Sequence, residues 1–187
     1  MKKLYYYLIG LLAIIISLLF DKQISLFFTN YRIDFLNVIA IFINNISGYV
    51  LFGVVFLILL ITRKHKKLIP LIFTFISYLI LTELIKIIVS RPRPFVELNN
   101  NLVSNTNPYK SFPSGHAVAV SSLIPFFDFN KILYTTWIYI AIFVSLSRVY
   151  LGVHYLSDVI AGFLLGSLIS DVYSKISRSR AKKKKNR

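Results

Sequence analysis

The chain has 187 residues, of which 56% are hydrophobic, and it carries 22 Lys+Arg against 7 Asp+Glu. That apolar share exceeds the roughly 45–50% usual in soluble domains, which excludes an ordinary soluble fold and intrinsic disorder alike. The absence of cysteine removes disulfides, Cys-ligated zinc, iron–sulfur clusters and thiol nucleophiles. The net charge of +15 suggests nucleic acid or an anionic membrane surface as partner.

Six apolar runs follow in chain order: Leu4–Phe20, Val38–Ile61, Leu68–Val89, Ser114–Phe129, Ile132–Ser147 and Tyr155–Ile176. A spanning helix needs about 20 mostly apolar residues, within a range of about 17–25. Most of the runs meet or approach that length, and none alternates as a barrel strand would. The expectation is an all-α polytopic membrane protein, a bundle of six transmembrane helices over residues 1–176 with a basic tail over 177–187. The first run ends at Phe20-Asp21-Lys22 with no small-residue cleavage site, so it reads as an uncleaved span rather than a signal peptide. Gln23–Leu36 reads equally well as an interfacial amphipathic helix or a plain loop.

Six spans place the two termini on one side, together with the loops after spans two and four. That side holds fifteen of the 22 basic residues, eight of them in the tail from Lys175 to Arg187. The positive-inside rule makes it the cytoplasmic side of the cell membrane, and attraction to anionic head groups accounts for the tail without nucleic acid. Seven basic residues face the other way, and the chemistry gathers there in three clusters. Lys86-Ile-Ile-Val-Ser-Arg-Pro-Arg-Pro94 ends span three, Pro113-Ser-Gly-His116 begins span four, and Ser147-Arg148 leads to His154 and Asp158 at the start of span six. Helix parity brings all three to one face.

Lys86, Arg93 and Arg148 converge there without a matching set of acids, and unpaired cations in a cleft suit a phosphate. Ser114 is a good N-cap for a helix whose free N–H groups favour an anion, and Gly115 lets a ligand approach the backbone. His154 and Asp158 lie four apart, on one helical face. An Asp that fixes one imidazole nitrogen leaves the other as nucleophile or base, with His116 free to protonate a leaving oxygen. These are the parts for cleaving a phosphate ester through a phosphohistidine. A metal held by His154 and Asp158 is disfavoured by the surrounding cations, and a purely structural Arg148–Asp158 pair leaves the other two clusters unexplained. Arg91 reads as a solvated outer charge or a further phosphate contact, Glu83 as a support for Lys86, and Lys110 as a residue near the head group.

Lys86-x6-Arg93-Pro94, Pro113-Ser-Gly-His116 and Ser147-Arg148-x5-His154-x3-Asp158 resemble, in order and spacing, the three signature motifs of the phosphatidic acid phosphatase type 2 superfamily, in its membrane lipid phosphatase branch. The resemblance implies attack on phosphorus by His154 oriented by Asp158, and protonation of the leaving oxygen by His116. It also implies that Lys86, Arg93, Arg148 and the Ser114-Gly115 backbone hold the phosphoryl oxygens, with no metal or other cofactor. Glu83 and Arg91 are candidate supporting residues behind that set. The implied substrate is a lipid phosphate or isoprenoid diphosphate, such as undecaprenyl or another polyprenyl diphosphate, phosphatidic acid or phosphatidylglycerol phosphate, met at the extracytoplasmic face. The alternatives are a lipid-linked phosphotransferase using the same site, or a lipid transporter or inactive lipid-binding homologue. No oligomeric state follows from these residues.

Overall fold

The computed structural model describes residues 2–46, 48–98 and 106–185, with side chains over 4–46, 48–98 and 106–173. The Asn99-Asn100-Asn101 segment, read above as a loop, and the side chains of the basic tail lie outside the described residues. Every regular element among the described residues is helical: α1 (Lys2–Asn30), α2 (Asp34–Asn45), α3 (Gly48–Ile61), α4 (Leu68–Val89), α5 (Pro94–Leu98), α6 (Gly115–Leu123), α7 (Lys131–Tyr150) and α8 (Leu156–Lys185). Short 3-10 turns over His65–Lys67 and Ile124–Phe127 precede α4 and continue α6.

Three expectations change. The first helix does not stop at Phe20 but runs on to Asn30, so Gln23–Asn30 is helix and Asp21 lies within it. The second run is two helices, α2 and α3, which come apart around Ile46. Four helices are long and apolar enough to cross a membrane, and α2 with α3 makes a fifth if the pair is one span. The Gly115–Phe127 stretch is too short to count on length alone.

Its shortness has a physical reason. Ala117 to Leu123 are all buried, Ala117, Val118, Ala119 and Val120 completely so, because α3, α4, α7 and α8 pack around α6. A helix enclosed by protein does not have to match the bilayer with its own apolar length. Around it stand Phe52, Val55 and Leu59 of α3, Leu71 and Tyr78 of α4, Trp137 of α7 and Ile169 of α8. The Trp137 indole donates to the Val120 carbonyl at 3.0 Å. Outward faces of α1, α3 and α4 expose Leu, Ile, Val and Phe side chains, the distribution expected where the surrounding solvent is lipid.

The α6–α8 contact decides where the chemistry lies. Gly162-x3-Gly166 on α8 is a small-x3-small stripe that allows close backbone approach. A Cβ on Gly162 would stand 2.6 Å from the Ser114 carbonyl oxygen, and one on Gly166 would stand 2.3 Å from that of Val118. The two N-termini are thereby drawn together, and the Ser114 N–H donates to the Asp158 carbonyl at 3.0 Å. G166A is expected to destabilise the protein by about 1–3 kcal/mol, as overpacking does when backbone must move; thermal unfolding in detergent measures it.

Candidate active site

Each motif residue is delivered by a helix end. The α4 helix stops at Ser90, whose φ of 44° is left-handed and whose N–H closes on the Lys86 carbonyl. Pro92 and Pro94 disfavour helix in the residue before each, so 91–93 run as an extended strap and α5 starts afresh at Pro94. The strap is pinned to the segment before α6, with Arg93 N–H on the Pro108 carbonyl at 2.9 Å and Ser111 N–H on that of Arg91 at 3.0 Å. After α7, residues 151–155 fold back so that the His154 N–H meets the Arg148 carbonyl at 3.3 Å.

The structure brings His154, Arg93, Arg148, Lys86, Ser114, Gly115, His116 and Asp158 to one end of the bundle. His154 is 2% exposed and Arg93 6%. The Arg93 guanidinium donates from Nε to the Asn107 carbonyl at 2.8 Å and from Nη1 to the Val153 carbonyl at 2.7 Å. The same Nη1 lies 3.2 Å from His154 Nε2. Arg148, 3% exposed, donates to the Asn44 side-chain oxygen. Lys86 rests on Glu83 at 3.3 Å, and Lys110 reaches the other oxygen of Glu83 at 2.9 Å. A Cβ on Gly115 would stand 3.5 Å from Lys86 Nζ, so the glycine leaves the backbone open on the side of that cation.

Asp158 is completely buried, and its carboxylate takes Arg91 Nη1 at 2.7 Å on one oxygen. The other oxygen accepts from Ser111 Oγ at 2.5 Å and Tyr155 N–H at 2.9 Å. The His154 Nδ1 faces that second oxygen at 3.7 Å, longer than the hydrogen bond expected from the sequence. The pair is on one helical face as expected, but Ser111 and the Tyr155 amide hold the near oxygen. Arg91 is not a solvated outer charge: it is the main ionic partner of Asp158 and also bonds Asp21.

Burial, reinforced by the Arg93, Arg148 and Lys86 charges, holds the His154 imidazole well below its ordinary pKa, so the ring is neutral and one nitrogen carries a lone pair. With Nδ1 turned to Asp158, that lone pair belongs on Nε2, beside the Arg93 guanidinium. Three buried polar atoms on motif residues have no partner among the described residues: Ser114 Oγ, His116 Nε2 and Arg148 Nε. Native structures satisfy most such groups, and a cluster of orphans beside three cations fits an anionic ligand with several acceptor oxygens.

Sequence reasoning missed Asp21, Asn44, Ser111 and Ser157, which contact this set. A signal existed for the first: Asp21 is one of only seven acids and directly follows the apolar run Leu4–Phe20. Asn44 is a polar residue in an apolar run, whereas nothing marks Ser111 or Ser157.

The sequence profile of the PAP2 superfamily matches residues 67–181. An undecaprenyl-diphosphatase of Sulfolobus acidocaldarius is 34% identical over 185 residues, covering 91% of this chain and 90% of that one. A lipid A 1-phosphatase of Rhizobium johnstonii is 33% identical over 106 residues, 54% of this chain and 43% of its own length. The crystal structure of a transmembrane PAP2-type phosphatidylglycerolphosphate phosphatase from Bacillus subtilis superposes with a TM-score of 0.72 at 26% identity, covering 92% of this chain and 96% of that one. Since the profile takes in the motif residues from Lys86 to Asp158 and the full-length likeness takes in the helices that carry them, this chain belongs to the PAP2 superfamily and is a membrane phosphatase of that family.

Proposed function

We propose that the protein removes the terminal phosphate of a lipid phosphate or isoprenoid diphosphate through a phosphohistidine on His154. The observation that carries this reading is the neutral, buried His154 whose Nε2 lies 3.2 Å from Arg93, among unpartnered donors of the other motifs. The Nε2 lone pair attacks phosphorus, the P–O bond to the lipid or lipid-phosphate oxygen breaks, and His116, which takes up a proton as the anionic substrate binds, gives that proton to the departing oxygen. Water then attacks the phosphohistidine, the P–N bond breaks, and His116 takes the water proton as phosphate leaves. Lys86, Arg93, Arg148 and the N–H groups at the start of α6 neutralise the three non-bridging oxygens, which is where phosphoryl transfer needs the protein most.

Membrane placement completes the proposal. The bent α2–α3 pair counts as one span and the enclosed α6 as another, so six spans leave both termini in the cytoplasm under the positive-inside rule. The site then opens at the extracytoplasmic face of the cell membrane, with the basic tail against anionic lipid on the other side. An isoprenoid diphosphate is the first substrate to try, because the relative matching nearly the whole chain is an undecaprenyl-diphosphatase.

The test is phosphate release by purified protein from polyprenyl diphosphate, phosphatidic acid and phosphatidylglycerol phosphate, with acid-labile label retained on the protein after quenching. Release from none of them defeats the proposal, and label without release in the presence of an alcohol acceptor turns it toward phosphotransfer. Activity is expected to survive EDTA unchanged; loss restored by a divalent ion would contradict a purely histidine-based mechanism.

A further inference from the structure

Behind the constellation lies a buried group that the mechanism above does not use. Asp21, on α1, is 2% exposed, and a carboxylate inside an apolar helix is costly unless it has a task. Its Oδ1 accepts the Ser157 N–H at 3.0 Å, and its Oδ2 accepts Ser157 Oγ and Arg91 Nη2, the latter at 2.8 Å. Ser157 is the second residue of α8, so its N–H is one of the donors a helix start leaves without an internal partner. Asp21 thus caps the helix that carries Asp158 from a different helix.

Arg91 divides its fork between the two carboxylates. Nη1 holds Asp158 at 2.7 Å and Ser157 Oγ at 2.7 Å, Nη2 holds Asp21, and the guanidinium lies 4.1 Å from the Tyr155 ring centroid. A lone Asp158–Arg91 pair would be neutral and would give the adjacent imidazole little negative field. The second carboxylate leaves the trio with a net charge of −1.

We propose that Asp21 and Arg91 form a charge-sharing clamp that sets how much of the Asp158 charge acts on His154, with Asp21 and Arg91 as positioning residues. The inference rests on His154 being the nucleophile. Among the described residues, the other groups acting on His154 are positive or neutral: Arg93, Arg148, Lys86 (itself paired with Glu83), His116 and the Ser111 backbone. The clamp is therefore the negative side of its field. Removing the Asp21 charge takes the trio to zero, removes support from the imidazolium and lowers the His154 pKa. Removing the Arg91 charge takes the trio to −2 and raises it. A merely structural pair would not move the titration in opposite directions.

The experiment uses full-length protein in detergent micelles carrying D21N, R91Q or S157A, the last removing hydrogen bonds without changing charge. Two readouts are taken: the acidic limb of kcat/KM on phosphatidic acid, and the His154 signal in ¹⁵N-histidine spectra titrated with acid. With three histidines in the chain, assignment needs only single substitutions. D21N is expected to move the limb and the signal to lower pH and to lower kcat about tenfold with KM unchanged, a loss usual for a group that orients a reacting residue. R91Q is expected to move both to higher pH, and S157A neither. Shifts of one sign in D21N and R91Q, or no shift in either, overturn the clamp. If R91Q fails to fold, D21N and S157A decide, because equal behaviour in those two overturns it as well. Wild-type protein that releases no phosphate while D21N still shifts the His154 signal defeats the phosphatase proposal and leaves the clamp standing.

Discussion

H154A is expected to lower turnover by about 10⁴ or more while the protein still inserts and purifies as the wild type does, the scale of loss seen when a covalent nucleophile is removed. The ring is buried and meets Arg93 through Nε2, so its removal costs chemistry more than packing. The phosphoryl label on the protein disappears with it. H116A separates the two histidines. A lipid alkoxide leaving from a monophosphate needs its proton, whereas a phosphate leaving from a diphosphate is a weaker base and needs it less. H116A is therefore expected to impair phosphatidic acid hydrolysis far more than polyprenyl diphosphate hydrolysis, while H154A abolishes both. Equal losses in the rate at which the two substrates label the protein would remove His116 from the role of acid.

Arg148 carries the second large effect, and it works on stability as well as rate. Truncation to Met is expected to cost about 10²–10³ in kcat, as for loss of one transition-state donor. The guanidinium is 3% exposed, has a neutral side-chain partner in Asn44, and retains an unpartnered Nε. A cation buried on such terms near Arg93 destabilises the unliganded fold. R148M is therefore expected to melt higher than wild type, by roughly 2–4 °C for each kcal/mol regained. Inorganic phosphate should raise the melting temperature of the wild type and have little effect on R148M. A variant that melts lower and still responds to phosphate would show that Arg148 serves the fold instead of the ligand.

What could be read from sequence followed from how each signal is encoded. The motif side chains are chemically conspicuous in an apolar chain, so Lys86, Arg93, His116, Arg148, His154 and Asp158 stand out by type and spacing. All are found at one end of the bundle. Helix lengths were legible where one apolar run meets lipid, as for α4, whose bounds match the predicted run. They were not legible where packing replaces lipid: hydropathy has no means of showing that α6 is enclosed, or that the run over 38–61 divides. The alternative of Arg91 as a solvated outer charge failed for a related reason. Its neighbours in sequence are solvent-like prolines and a serine, whereas its partners Asp21 and Asp158 lie 70 and 67 residues away. Neither the role of the Gly162-x3-Gly166 stripe nor its partner was read from the sequence.

The enclosure of α6 also separates chemistry from the bilayer mechanically. When membrane thickness changes, spanning helices respond by tilting, and that tilt is taken up first by helices in contact with lipid. Among the described residues, α1, α2, α3, α4 and α7 all carry bulky apolar side chains on outward faces. The helix that presents Ser114, Gly115 and His116 touches protein along Ala117–Leu123, and its closest neighbour is fixed to it through backbone at Gly162 and Gly166. A turnover rate that holds steady across lipids of different chain length is the natural property of such a nested arrangement. It also leaves the outer ring free to diverge toward new greasy tails while the phosphate-cleaving centre stays the same.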